Sequence, residues 1–384
     1  MVQNHLPSLI HLDRMTDSTG IIQHGIYSLP RRESGYTTDD NARALRFAAR
    51  LWKLEPCASH LARVACYLSF MEHTRSSTRG FHNFMGYQRD WLDSGGTEDC
   101  QGQAVLALAE VLASDVPKGF HSLAIELLKD ALPATRKLKD LRAIAYLVQA
   151  WHLIRKNYIE QLEELEAIAH AAAERLMDCY GRSRRDDWFW FESRMTYANA
   201  VLPHALFDAA ELWDDAPYLE VAQVSFGFLS LSTSSDNQFC PIGNRDWFSH
   251  GEEKSTYDQQ PVEASTMAAC AHAAWRVTGN DKYLHVFERS HAWFLGKNSL
   301  GLPLADAEDG SCCDGLTPHG VNGNQGAEST LAWLWTELLC GQLESGSIEE
   351  SSVSAHSNRD QVAEVDSAWF TPSSQSCHFP KYAQ

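Results

Sequence analysis

Helical patterning recurs from one end of this chain to the other, and strand signals are weak. Apolar spacing predicts twelve helices, over 5–16, 39–53, 57–75, 97–113, 118–131, 139–154, 158–179, 200–213, 215–233, 261–278, 281–296 and 325–340. Their character alternates. AVLALAEVLA within 97–113, AIAYLVQAW (143–151) and STLAWLWTELL (329–339) are apolar almost all round, the pattern of a helix enclosed by other helices. Segment 281–296 is two-faced, with Tyr283, Phe287 and Phe294 near one face and Lys282, Glu288 and Arg289 elsewhere, as an outer helix would be.

The links alternate as well. EPCA near 55–58, SDVPK at 114–118, DDAP at 214–217 and GN at 279–280 are short and suit antiparallel helix hairpins. The segments 17–38, 76–96, 180–199, 234–260 and 297–324 are long, and the short link at 132–138 departs from the rule. Twelve helices that alternate between outer and inner make six hairpins in a ring. The predicted fold is therefore all-α, an (α/α)6 toroid spanning 1–343. Its even-numbered helices line the inside, and the long loops gather at one end, where a ligand pocket would form. Residues 344–384 are rich in Ser and Glu without periodicity and read as a disordered tail, with AWF at 368–370 as its one docking feature.

Charge narrows the function. The net charge is −18 with no Lys/Arg run, so a nucleic-acid backbone or an anionic membrane would be repelled. No apolar run reaches the roughly 18 residues of a spanning helix, and MVQNHLPSLIHLDRM lacks a secretion pattern, so a cytoplasmic location is expected. The 10 cysteines form no C-x-x-C pair, the 17 histidines are dispersed, and H-E-x-x-H is absent, so neither a metal nor a cofactor is expected.

The polar motifs fall where inner helices begin: TTDDNAR (37–43), GTEDCQGQ (96–103), WFWFESRMTYANAVLP (188–203), STYDQQPVEA (255–264) and GVNGNQGAEST (320–330). LKDLRA (138–143) is the poorest of the set. Pro203 and Pro261 mark helix starts, which puts Asn199 and Asp258 in rim loops and Glu263 in a first turn. Capping explains one aspartate at a helix start. It does not explain carboxylates and carboxamides at five inner helices of one ring. Carbohydrate sites need that mixture, because carboxylates accept from sugar hydroxyls and act as acid and base while carboxamides donate and accept. Aromatic rings cover the C–H faces of sugars. The rim loops supply Tyr36, Trp91, Trp188, Trp190, Tyr197, Trp247 and Tyr257, with Trp188 and Trp190 beside Glu192 expected as a sugar platform.

GIIQHGIYSLPRRESGYTTDDNARAL, FHNFMGYQRDWLDSGGTEDCQGQAV, WFWFESRMTYANAVLPHAL, YDQQPVEA and the segment from WFLGKNSLGL to ESTLAWL together resemble a bacterial family of six-hairpin domains. Its members often sit beside, or fused behind, a glycosyltransferase domain. The resemblance covers about residues 5–340. It implies kinship in shape with six-hairpin glycosidases and a role in carbohydrate metabolism. It also implies an oligosaccharide substrate and a separately encoded glycosyltransferase as partner. The chain departs from the family at LKDLRAI, at the second Cys of SCCDG and in the tail. A glycosyltransferase activity of its own is disfavoured, since there is no nucleotide-binding α/β pattern.

The leading expectation is glycoside hydrolase-like cleavage by two carboxyl groups that flank the scissile bond. Asp40 and Asp99, opening successive inner helices, are the expected first pair, with Asp39 as the cap and Asp40 pointing into the pocket. Unsaturated glucuronyl hydrolases, also six-hairpin enzymes, place acids at a similar separation. Glu192, Asp258, Glu263, Asp314 and Glu328 are rival acids. Asn41, Arg43, Gln259, Gln260, Asn322, Asn324 and Gln325, with Tyr197 and Asn199, would orient hydroxyls. His24 or His82 could titrate near neutral pH. Two alternatives stand beside this reading. A sugar isomerase or epimerase would need rim histidines, for which His204 and His272 are the candidates. A non-catalytic glycan-binding module serving a glycosyltransferase would need no acid pair.

Overall fold

From Cys100 to Leu112, and again from Leu141 to Trp151, every residue is buried. Helices buried all round must be enclosed by others, and they are. In the computed structural model, which describes residues 6–76, 80–158 and 162–344, twelve helices form two concentric layers. In chain order they are α1 (Ile10–Met15), α2 (Thr38–Leu54), α3 (Ala58–His73), α4 (Glu98–Leu112), α5 (Lys118–Thr135) and α6 (Leu141–Ile154). The second half supplies α7 (Glu163–Ser183), α8 (Val201–Trp213), α9 (Ala216–Ser232), α10 (Pro261–Thr278), α11 (Lys282–Phe294) and α12 (Ala327–Glu344).

The even-numbered helices close a ring, α2 on α4, α4 on α6, α6 on α8, α8 on α10, α10 on α12 and α12 back on α2. Each odd-numbered helix packs outside, α1 against α12 and the others against the inner helix one number below. The fold is an (α/α)6 toroid. The tightest seam is visible at Gly102, where a Cβ would lie 2.7 Å from the Ala143 carbonyl oxygen, so any side chain there would force α4 and α6 apart.

The long links all meet the N-terminal ends of inner helices, and every seam between them is fastened. Tyr36–Thr37 pairs with Phe84–Met85, and Arg194–Met195 pairs with Phe248–Ser249. A bridge joins Gln259 to Leu316. The N–H groups of Gln325 and Ala327 donate to the carbonyls of Tyr27 and Gln23. Where the link before α6 is short, Glu98 accepts from the N–H groups of Lys139 and Asp140. These contacts satisfy loop backbone that would otherwise be unpaired beside the core.

Three expectations are adjusted. The first helix is shorter than 5–16, because segment 6–9 lies against the turn at Asp309 and Gly310 instead of coiling. The helix expected over 158–179 begins at Glu163, and the last helix runs on to Glu344. The tail expected from 344, with its AWF, lies outside the described residues apart from Glu344. Among the described residues, no helix is long and apolar enough to cross a membrane.

Candidate active site

All six inner helices contribute to one axial cavity below the loop layer, with ≈ 640 Å³ of empty space that opens to solvent. On α12 the lining residues are Glu328, Leu331, Ala332 and Trp335, and on α10 they are Val262, Ser265, Thr266 and Ala269. Both sets follow the i, i+3, i+4, i+7 spacing of a single helix face. Arg43 and Arg46 come from α2, Gln103 from α4, Tyr146 and Gln149 from α6, and His204 from α8.

Acids gather about Arg43 beside this space, and Glu328 is the one of them that lines it. Arg43 is their hub, 3.0 Å from Glu328, 3.1 Å from Asp40 and 3.7 Å from Asp39. Asp99 stands within the field of the same groups. Its Oδ1 is buried and has no hydrogen-bond partner. Burial pushes its carboxyl up to about 6, and the charges of Asp39, Asp140 and Glu328 push the same way against the pull of Arg43. A carboxyl that holds its proton up to about pH 6, beside carboxylates ion-paired to an arginine, is the separation of roles that acid–base chemistry uses.

Both aspartates of TTDDNAR serve the helix start, where Asp39 Oδ1 accepts from the Asp40 N–H at 3.0 Å. Thr37 is the N-cap, accepting from the Asp40 N–H at 3.3 Å and donating its hydroxyl to Asp40 Oδ2 at 2.7 Å. Asp40 is 5% exposed and closes that cap while holding Arg43, so it does not line the cavity. Burial and the Asp39 charge push its carboxyl upward. Asp39 is the more open of the two, with a side chain 26% exposed.

A second cluster braces the wall between α6 and α10. Arg142, 2% exposed, donates to the Tyr197 carbonyl at 2.8 Å and to Glu192 Oε2 at 2.7 Å, and lies 5.0 Å over the Tyr197 ring. Glu263 is buried and accepts from the N–H groups of Ala198 and Asn199 and from the Asn199 side-chain amide. It therefore holds a loop. Burial raises its carboxyl from the usual 4.5 to about 7. The folded state thus binds this proton more tightly than the unfolded chain, so the associated stability is present below about 4.5 and lost as pH rises through about 7. The melting temperature is expected to fall between about pH 5 and pH 8, and Glu263→Gln should flatten its share of that fall. Parallel profiles for the two proteins would disprove this role for Glu263.

Several other expected site residues are buried or engaged by the protein's own groups. Trp188 and Trp190 are 2% and 0% exposed, so neither offers a face to a sugar. Trp188 instead packs on Phe228 and Phe248 and donates to the Glu192 carbonyl. Asn41 is buried against the backbone of Ile21, and Gln259 is buried against Trp293 and Ser299. Asn199 folds its own turn. Asp314 accepts from the Gly326 N–H and the Ser329 hydroxyl, fixing the start of α12, and Asn324 accepts from the Tyr27 N–H. Asn322 accepts from the Asn324 N–H, and the Gln325 carbonyl accepts from His11. Asp258 pairs with Arg245 in a loop, and Gln260 is the N-cap residue of α10. His82 is taken up by Asp93 and stacks on Trp91. His272 is absent from the cavity lining, whereas His204 belongs to it.

Sequence reading missed Arg46, Gln103, Tyr146, Gln149 and Trp335, which lie deeper along the axis, and Arg142 within the motif ranked poorest. The available signal was polar residues inside helices that are otherwise apolar all round.

No protein-family model matches this chain, and no curated protein does. Solved structures share its fold. A sugar epimerase from a ruminal bacterium aligns with a TM-score of 0.69 at 12% identity, covering 88% of this chain and 97% of that one. The cellobiose 2-epimerase of Bacillus thermoamylovorans aligns at 0.66 and 12%, covering 87% and 96%. An α-mannanase of glycoside hydrolase family 76 from Bacteroides thetaiotaomicron aligns at 0.60 and 8%, covering 88% and 94%. At these identities the likeness is one of fold, shared by enzymes of different chemistry.

Proposed function

We propose that this chain is a carbohydrate-active enzyme that cleaves a glycosidic bond of an oligosaccharide, with Asp99 as general acid and Glu328 as general base. The observation that carries this is Asp99, a carboxyl raised to about 6 by burial, with one oxygen unpartnered, in the acidic cluster over an axial cavity. Glu328 lines that cavity and faces Arg43 at 3.0 Å. Asp99 would give its proton to the leaving oxygen as the C–O bond breaks. Glu328 would take a proton from the attacking water. Arg43 orients Glu328, and Asp40 holds Arg43. This pair replaces the Asp40–Asp99 pair expected from the sequence. Service to a separately encoded glycosyltransferase rests on the family resemblance.

One observation favours a second reading, epimerisation or isomerisation. His204 is the one imidazole among the described residues that line the cavity, and burial lowers it to about 4. It is therefore neutral at pH 7 and able to accept a proton from a sugar carbon.

Proton NMR of the protein with manno- and gluco-oligosaccharides in D2O separates the two. New anomeric signals that vanish in Asp99→Asn support cleavage. Exchange of a ring-carbon proton for deuterium, lost in His204→Asn, would replace that reading with the second. Binding without either change would reduce the chain to a glycan-binding module.

A further inference from the structure

The cavity is acidic at its rim and basic at its floor. One turn deeper on α2 than Arg43, about 4.5 Å along the helix, Arg46 lines the cavity with its guanidinium 4.1 Å over the Trp335 ring. Its ion pair, to Glu110, is 3.6 Å long. Glu110 is 1% exposed and gives its closer contact, 2.7 Å, to Arg50 rather than to Arg46. Asp208, the other carboxylate whose charge reaches Arg46, is committed to Arg276 at 2.6 Å. The Trp335 Nε1 is a buried donor without an acceptor, and the Arg46 Nε, which also makes no hydrogen bond, faces the equally unpartnered Glu110 Oε2 at 3.6 Å. Tyr146, Gln103 and Gln149 surround the same space.

We propose that this floor is an anion site. Its ligand is a sugar bearing a carboxylate or a phosphate, which enters floor-first and sets that group against Arg46 and the Trp335 indole N–H. A neutral hydroxyl would satisfy a donor but leave the buried charge under-compensated, whereas an oxyanion matches both the charge and the planar fork of a guanidinium. Burial lowers the Arg46 pKa, as an under-compensated cation requires. The depth of one helical turn is about one sugar ring, so an anion at Arg46 leaves the ring's far bond at the rim acids. That last placement rests on the glycan-cleaving reading, but the anion site does not.

The test is isothermal titration calorimetry on the full chain at about pH 7 in a zwitterionic buffer. The probes are glucose, glucuronate, glucose 6-phosphate and inorganic phosphate. At least one charged probe should bind roughly tenfold or more tightly than glucose. Preference for glucuronate assigns a uronate; preference for glucose 6-phosphate assigns a sugar phosphate; inorganic phosphate alone assigns free phosphate as the anion and overturns the charged-sugar assignment. Arg46→Gln should abolish the preference and Arg46→Lys retain part of it, with melting curves confirming that both are folded. Asp99→Asn should lose turnover and keep anion binding, so the two proposals fail separately. Glucose binding as tightly as every charged probe, or a preference that survives Arg46→Gln, would overturn the anion site.

Discussion

Asp99→Asn is expected to lower kcat by roughly 10²–10⁴-fold while leaving oligosaccharide affinity within a few-fold. The asparagine keeps the shape and removes the proton that the leaving oxygen needs. The same assignment dictates a pH profile. With the carboxyl at about 6, its acid form dominates below that value and is lost above it. kcat/KM should therefore fall by about tenfold per pH unit on the alkaline side of about pH 6. The stability consequence has the same direction. The folded carboxyl binds its proton more tightly than the unfolded chain does, so the penalty of its charge appears as pH rises through about 6. At pH 8 the variant, which cannot ionise, should melt no lower than the parent.

That combination is hard to produce by unfolding, which would lower activity and melting temperature together. A flat alkaline limb, or full activity in Asp99→Asn, would remove Asp99 from the chemistry. It would leave Asp39 and Glu328, the other two acids on Arg43 that are open to solvent.

The fold was legible because burial writes periodicity. Helices such as α4 and α6 have no polar face, and that alone demands an outer layer. The place of the candidate site was legible too, since five of the six inner helices are entered from long loops. Individual roles were not, and Asp39 and Asp40 show why. Both are favoured at a helix start and both serve it, Asp39 by accepting the Asp40 N–H and Asp40 by closing the Thr37 cap, a division that only the folded hydrogen bonds display. The tryptophans misled for a related reason. An aromatic in a long loop can cover a sugar or close the gap between loop and helices, and Trp188 does the second. Arg142 was passed over because its motif carries a single acid, Asp140, and no amide, although its partners, Glu192, Tyr197 and Asn199, come from a loop some fifty residues away. Partnerships at that separation leave no local pattern.

Arg142→Met is expected to be the most destabilising single change near the site, costing about 3–5 kcal/mol. Methionine keeps much of the buried stem but removes the guanidinium. The Tyr197 carbonyl and the Asn199 side-chain oxygen lose a donor, and the Glu263 carboxyl loses a cation whose field stabilises its charge. Unmet buried acceptors make such losses larger than the net worth of the bonds themselves. Glu192→Gln should cost far less, because Glu192 is 32% exposed and water can replace its partner. A melting temperature lowered by roughly 5–10 °C in Arg142→Met, against about 1 °C or less in Glu192→Gln, is the expected contrast. The damage should also be local first. Arg142 ties α6 to the loop before α8, so proteolytic nicking between Glu192 and Asn199 should appear in the variant well below its melting point. Equal melting temperatures for the parent and Arg142→Met would mean that the loop is held by Glu263 and Asn199 without it, and that the α6 motif is as weak as its sequence suggests.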